Sequence, residues 1–245
     1  MDKLPKVLIV TPTYNEIESI HALITRLVVV KEELAARYDI SLLVVDDNSP
    51  DGTARAVKER AINWISVLDR PGKGGLGPAY IAGFNWGLRQ DFDYLCEIDA
   101  DLSHQPEQLV HLLDALDGHD LAIGTRWMPG GSVVNWPFSR QLISRIGTGY
   151  ARLALKLDLK DITSGYRAFH REVLEHIDLA SINSQGYCFQ IEVALRSSKD
   201  GFSIAQVPIT FIERAGGVSK MSKRIVIEAL WNVTKWGFGS YKYRR

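Results

Sequence analysis

Strand-like and helix-like patterns alternate through the first half of this 245-residue sequence, which predicts an α/β fold in a single domain, a largely parallel sheet covered by helices on both faces. Two further observations agree. Polar clusters recur where the predicted strands stop, and 46% apolar residues can fill a large core. In order, Val7–Thr11 is an apolar, β-branched run that reads as a strand, and Ile17–Lys31 carries apolar residues at helical spacing. Ile40–Val45 reads as a strand, Thr53–Arg60 as a helix, Ile62–Leu68 as a strand and Pro78–Arg89 as a helix. Tyr94–Asp99 is the next strand, Pro106–Leu116 a helix and Leu121–Thr125 a strand. The second half is less regular: Arg140–Leu157 looks helical, Thr163–His170 extended, Cys188–Ser198 helical and Ile204–Ile212 a strand. A last helix is expected over Ser222–Trp236, which sets residues 221–245 apart as an amphipathic helix with a basic tail following a main domain at 1–220.

The net charge of zero hides a split. Residues 1–121 hold 11 Lys/Arg against 20 Asp/Glu, whereas residues 122–245 hold 18 against 9. An acidic half suits a metal and a basic half suits phosphate or an anionic membrane surface, although both could be faces of one mixed surface. No nucleic-acid partner is expected. Cys96 and Cys188 sit in apolar runs without metal-ligand spacing, so each is expected to be a buried free thiol in a reducing compartment. Met1-Asp2-Lys3-Leu4-Pro5 does not read as a signal peptide, and no segment reaches the ~18 uninterrupted apolar residues of a membrane span.

Parallel sheets bind ligands beyond the carboxyl ends of their strands. The polar clusters fall there: Thr11–Glu16, Asp46–Gly52, Asp99–His104 and Thr125-Arg126. Asp99-Ala100-Asp101, where the run Tyr94–Ile98 stops, is the most informative. Carboxylates at i and i+2 of a strand end share one side of the backbone. Two anions held there suit a hard divalent cation, which can bridge a nucleotide diphosphate and stabilise a leaving group. Asp91-Phe92-Asp93 has the same spacing but lies in a polar turn, where solvated surface is expected. His104 could assist a metal or hydrogen-bond within its loop.

Gly72-Lys73-Gly74-Gly75-Leu76-Gly77 spells the dinucleotide fingerprint, but it follows the third strand and not the first. A loop that lets backbone approach a ligand fits better, with an NAD-dependent oxidoreductase kept as a rival. Asp46 and Asp47 point opposite ways, so at most one is expected to face a ligand, and an Asx turn over the following residues is compatible with that. Arg126 is the nearest expected cation to the acidic edge. Arg214 and Lys220 flank Ala215-Gly216-Gly217-Val218, either as a lid over a diphosphate or as a solvated loop. Arg145, Arg152 and Lys156 lie partly opposite Leu142, Ile146, Leu153 and Leu157. In the last helix Glu228, Asn232 and Lys235 form a narrow polar stripe on a wide apolar surface, followed by Tyr241-Lys242-Tyr243-Arg244-Arg245. Interfacial attachment and a core helix with a frayed tail both fit.

Pro12–Glu16, Asp46–Thr53, Asp99–His104, Gly124-Thr125-Arg126, Thr163–Arg167 and Val207–Phe211 together resemble the inverting GT-A (Rossmann-like) glycosyltransferases, and among them the polyprenyl-phosphate (dolichol-phosphate) mannose synthases. The likeness runs from about Val7 to Lys220. It implies that Pro12, Tyr14, Glu16, Val45 and Asp47 hold the nucleoside of GDP-mannose, and that Asp99 and Ala100 contact the donor. Asp101 would ligate Mg2+ or Mn2+, with Ser103 where some relatives carry a Gln ligand. It further implies that Arg126, Arg214 and Lys220 hold phosphates, with Arg140 and Ser144 at the phosphate of the lipid acceptor. Many relatives add transmembrane helices, whereas this sequence ends at Arg245. Attachment to the cytoplasmic face of a membrane through the last helix or a separate anchoring subunit is the resulting expectation.

The chemistry implied is mannose transfer to polyprenyl phosphate with inversion. A phosphate monoester is mostly dianionic at neutral pH and attacks without a strong general base, which suits a sequence with no evident Ser/His/Asp or Cys/His set. A UDP-sugar transferase on the same fold and a non-catalytic binding subunit are the remaining rivals.

Overall fold

The alternating segments of the first half do build a parallel sheet. The computed structural model describes residues 3–213 and 223–239. Its first half runs β1 (Lys6–Thr13), α1 (Ile17–Leu34), β2 (Asp39–Asp46), α2 (Thr53–Glu59), β3 (Ile65–Asp69), α3 (Leu76–Leu88), β4 (Tyr94–Glu97), α4 (Leu109–Ala115) and β5 (Leu121–Thr125). The second adds β6 (Ser132–Val134), α5 (Phe138–Leu155), β7 (Arg167–His170), α6 (Arg171–His176), α7 (Gly186–Lys199), β8 (Ile204–Pro208), β9 (Thr210–Ile212) and α8 (Lys223–Phe238). Among the described residues seven strands form one sheet in the order β3-β2-β1-β4-β7-β5-β8. All its pairings are parallel except those of β7, which lies antiparallel between β4 and β5.

Period-2 alternation along the strands divides the core in two. Leu8, Val10, Leu43 and Val45 face α3 and α7, where Phe84 and Phe189 pack. Val7, Ile9, Leu42 and Val44 face α1 and α4 on the other side. Each such fully buried aliphatic side chain contributes about 1.5–3 kcal/mol over leaving it in water. Helix α3 rides unusually close to the sheet because Gly83 and Gly87 meet it: a Cβ on Gly83 would overlap Val10, and one on Gly87 would lie 2.6 Å from Leu8. Helix α8 packs on α5 and α7 with Val233 in the core.

Two expectations need correction. The run Ile204–Ile212 is two strands and not one. Pro208 has no N–H to continue the ladder, so after Ile209 donates to the Thr125 carbonyl the chain leaves the main sheet and β9 pairs with β6. Strand β6 itself is three residues long, too short to show a period. The Asp99-Ala100-Asp101 segment lies in a turn beyond β4, not on the strand, so the same-side argument does not apply to it.

Gly83→Ala should lower stability by about 1–3 kcal/mol through overpacking, more than the ~1 kcal/mol that Ala gains in a helix. Urea midpoints of the two proteins check this.

Candidate active site

A cavity of about 420 Å3 opens beyond the carboxyl ends of β1 and β4. Pro12 and Glu16 form one wall, Asp99, Ala100, Asp101 and Ser103 the floor, and Lys73, Gly75, Gln185 and Tyr187 the far side. The two carboxylates therefore do meet in one space, brought there by the turn. Leu102 at φ +62° lets the chain fold back so that Ser103 N–H donates to Asp101 Oδ1 at 3.1 Å. Ser103 Oγ is buried with no hydrogen-bond partner. Tyr80 donates to Asp99 Oδ1 at 3.4 Å from α3 below. His104 stacks on Tyr166 and stands edge-on to Phe211. Burial pushes its pKa down to about 4, so it is neutral at physiological pH, with Nδ1 3.6 Å from Asp99 Oδ2.

Beneath the floor lies a second polar layer. Burial raises the Glu97 carboxyl to about 7, against the opposing pull of Arg167 and of the 2.8 Å hydrogen bond from Gln190. Arg167 is fully buried and donates to the carbonyls of Ile162, Ser164 and Gln190, each at 2.8–2.9 Å.

Asp46 and Asp47 both serve the protein. Asp46 accepts from Thr13 Oγ1 at 2.7 Å and from the N–H and hydroxyl of Ser49, the turn expected there. Asp47 pairs with Arg70 and accepts from Gly74 N–H at 2.8 Å and Gly75 N–H at 3.2 Å. The glycine run is thus a clamped loop whose amides face an aspartate. Lys73 lies 4.2 Å from the centre of the Tyr14 ring, against the mouth of the cavity. Asp91, the spacing control, is exposed and held by Lys3 and Lys6, which bring its pKa down to about 2.

A second cavity, about 120 Å3 and mainly apolar, lies between α5, α7 and α8. Arg126, Arg140, Ser144, Ile143, Tyr187 and Leu230 are among its walls, and Arg140 and Tyr187 belong to both cavities. Arg126 is not in the wall of the acidic cavity. Burial opposes its charge, but Asp161 more than restores it, through contacts of 2.6 and 2.7 Å to the guanidinium and 3.0 Å to the backbone N–H. Arg140 lies 4.1 Å from the centre of the Trp136 ring and pairs with Glu213. Tyr187 stands where the groups meet: burial raises its pKa, Arg126 and Arg140 oppose this, and Asp99 and Asp101 add to it.

Of the residues singled out in the sequence, Pro12, Glu16, Asp99, Ala100, Asp101 and Ser103 gather in the first cavity, and Arg126, Arg140 and Ser144 in the second. The Val45 side chain is a core residue and reaches neither. Asp47 reaches the site only through the loop it clamps. Arg214, Lys220 and the tail 241–245 lie outside the described residues. Asp161, Gln185, Tyr187 and Glu213 went unnoticed in the sequence, and Lys73 was read only as part of the glycine run. Only Lys73, inside the glycine run, carried a local signal.

The family model for glycosyl transferase family 2 matches residues 8–178. The chain belongs to that family. Among curated relatives it is 51% identical over 237 residues to undecaprenyl-phosphate mannosyltransferase of Micrococcus luteus, covering 96% of this chain and 95% of the relative. It is 48% identical over 236 residues to polyprenol monophosphomannose synthase of Mycolicibacterium smegmatis, covering 95% and 87%. Its fold matches glucosyl-3-phosphoglycerate synthase from Mycobacterium tuberculosis, solved with Mn2+, UDP-glucose and phosphoglyceric acid. There the TM-score is 0.66 at 20% identity, over 94% of this chain and 80% of that one. As a family 2 transferase the chain thus places its acidic turn where strands β1 and β4 end.

Between the ordinary carboxyl value of 4.5 and about 7, folded Glu97 keeps a proton that the unfolded chain has released. Raising pH through that window therefore lowers stability. Glu97→Gln should flatten the fall, as measured by thermal melts from pH 4.5 to 7.5.

Proposed function

We propose that this family 2 glycosyltransferase moves mannose from GDP-mannose to a polyprenyl phosphate. One observation carries the reading: an acidic cavity and an apolar cavity with cationic walls share Arg140 and Tyr187, so a nucleotide sugar and a lipid phosphate can meet there. The two relatives named for mannosyl transfer to polyprenyl phosphates, each about half identical, support it.

Pro12, Tyr14 and Glu16 would hold the nucleoside, and Asp99 and Ala100 the sugar diphosphate, with Arg214 and Lys220 closing on its phosphates. The donor set suits a divalent cation that shares its ligands with the substrate. Among the described residues no cluster of three or more His, Cys, Asp or Glu forms a complete protein cage. Two aspartates beside the orphaned Ser103 hydroxyl fit Mg2+ or Mn2+, which uses one or two carboxylates plus phosphate oxygens. Asp101 and Ser103 would hold it, and when bound it offsets charge on the departing diphosphate. Arg140, Ser144 and the Asp161-anchored Arg126 would orient the acceptor phosphate, whose second pKa of about 6 makes it a ready nucleophile. Positioning of the two reactants is then the main task of the protein.

The acceptor's lipid calls for a membrane surface. On α5, Phe138, Leu142, Ile143, Ile146 and Leu153 are exposed, and on α8, Ile227, Leu230, Trp231 and Phe238. Meanwhile Asn232, from the polar stripe, turns inward to the Cys188 sulfur at 3.4 Å. No described helix is long and apolar enough to cross a membrane. The α5–α8 face is instead the inverse of a water-facing surface and suits interfacial docking, with Arg145 and Arg152 along one side. The buried free thiols Cys96 and Cys188 suit the cytoplasmic side.

Purified protein given radiolabelled GDP-mannose and a polyprenyl phosphate should form the mannosyl lipid, and should give none from UDP-glucose. Asp101→Ala should cut transfer by about a thousand-fold or more, roughly 4 kcal/mol of barrier, while its circular dichroism and melting stay near wild type. Chelation should silence the wild-type enzyme, and added Mg2+ or Mn2+ should restore it. Ile146→Glu with Leu153→Glu should abolish flotation with lipid vesicles and slow transfer to vesicle-borne acceptor, leaving GDP binding unchanged in a thermal-shift assay.

A further inference from the structure

The glycine run has a partner inside the protein. A Cβ on Gly75 would lie 2.7 Å from Gln185 Oε1, and one on Gly77 would lie 2.9 Å from the Ser184 carbonyl oxygen and 3.1 Å from the Phe189 ring. The segment leading into α7 therefore rests directly on the loop that Asp47 clamps through Gly74 and Gly75. At Gly186 the backbone turns with φ +52°, and the next residue is Tyr187. This seating places Tyr187 in the wall common to both cavities. The charges of Arg126 and Arg140, and those of Asp99 and Asp101, all reach its hydroxyl. Among the described residues nothing hydrogen-bonds that hydroxyl.

We propose that the Tyr187 hydroxyl donates a hydrogen bond to the acceptor's phosphate as it attacks, which makes Tyr187 a catalytic residue; this rests on the function proposed above. In the transfer an acceptor phosphate oxygen bonds to the anomeric carbon. The bond from that carbon to the donor diphosphate breaks, and its electron pair leaves with the nucleoside diphosphate. Tyr187 keeps its proton throughout. A neutral donor suits this place because a lysine there would be drawn to Asp99 and Asp101, whereas a hydroxyl can fix the dianion's orientation without adding charge. The glycines are then needed for the close approach of the segment that carries this hydroxyl.

Tyr187→Phe keeps the ring and removes only the donor. Its kcat for transfer to polyprenyl phosphate should fall roughly ten- to hundred-fold, in keeping with loss of one hydrogen bond to a charged group. The thermal shift with GDP and the melting temperature should match wild type, and the slow hydrolysis of GDP-mannose without acceptor should fall much less than transfer does. Transfer within two-fold of wild type would overturn the proposal, as would hydrolysis falling in step with transfer, which would place Tyr187 on the donor side. Wild-type protein assayed in parallel separates the two readings. If it makes no mannosyl lipid, the proposed function fails; if it is active and Tyr187→Phe is equally active, only the role of Tyr187 fails.

Discussion

The two-cavity arrangement depends on the buried pair of Arg126 and Asp161. A guanidinium at the end of β5 meets a carboxylate with no side-chain exposure, in a bidentate contact reinforced by the Arg126 backbone N–H. Trp127, Trp136 and Phe211 surround that guanidinium at 5.2–5.6 Å from their ring centres. Losing either partner of such a pair leaves an uncompensated buried charge, typically at a cost of about 3–5 kcal/mol. Trp136 in turn supports Arg140, so the position of the cation shared by both cavities follows from the buried pair.

The same pairing recurs along the carboxyl edge of the sheet. Many of the conspicuous charges at the carboxyl edge are spent internally. Asp47 is matched by Arg70, Arg126 by Asp161 and Arg140 by Glu213. Charges matched in this way set shape, because each holds a loop or a helix start in place. Each of these pairs lies within one half of the chain and cancels there, so the excess of acid in the first half and of base in the second is carried by other charges.

Much of the fold was legible because parallel sheets bury continuous apolar runs, and β1, β2, β4 and β5 are such runs. The cluster at the carboxyl edge was legible for the same reason, since polar residues that follow a buried strand have few other uses. Side-chain direction was not. Asp99 and Asp101 converge through a turn stabilised at Leu102, and strand geometry gave the right gathering for the wrong reason. Val45 obeys strand alternation and points into the core. The partnership of Gly75 and Gly77 with residues 184–189 spans more than a hundred positions, and no local pattern encodes it. Asp161 and Tyr187 were invisible for a related reason: each acquires its role only when distant segments close around it.

Strand β7 has an implication for biosynthesis. It is made after β5 yet must sit between β5 and β4, running against both. A nascent chain that has emerged only through Thr125 holds a parallel core of β3, β2, β1 and β4 but has no place to dock its newest strand. The acidic and basic halves consequently cannot be separated into autonomous folding units at their charge boundary. On the ribosome the two parts of the sheet stay unjoined until residue 170 is available to wedge them together.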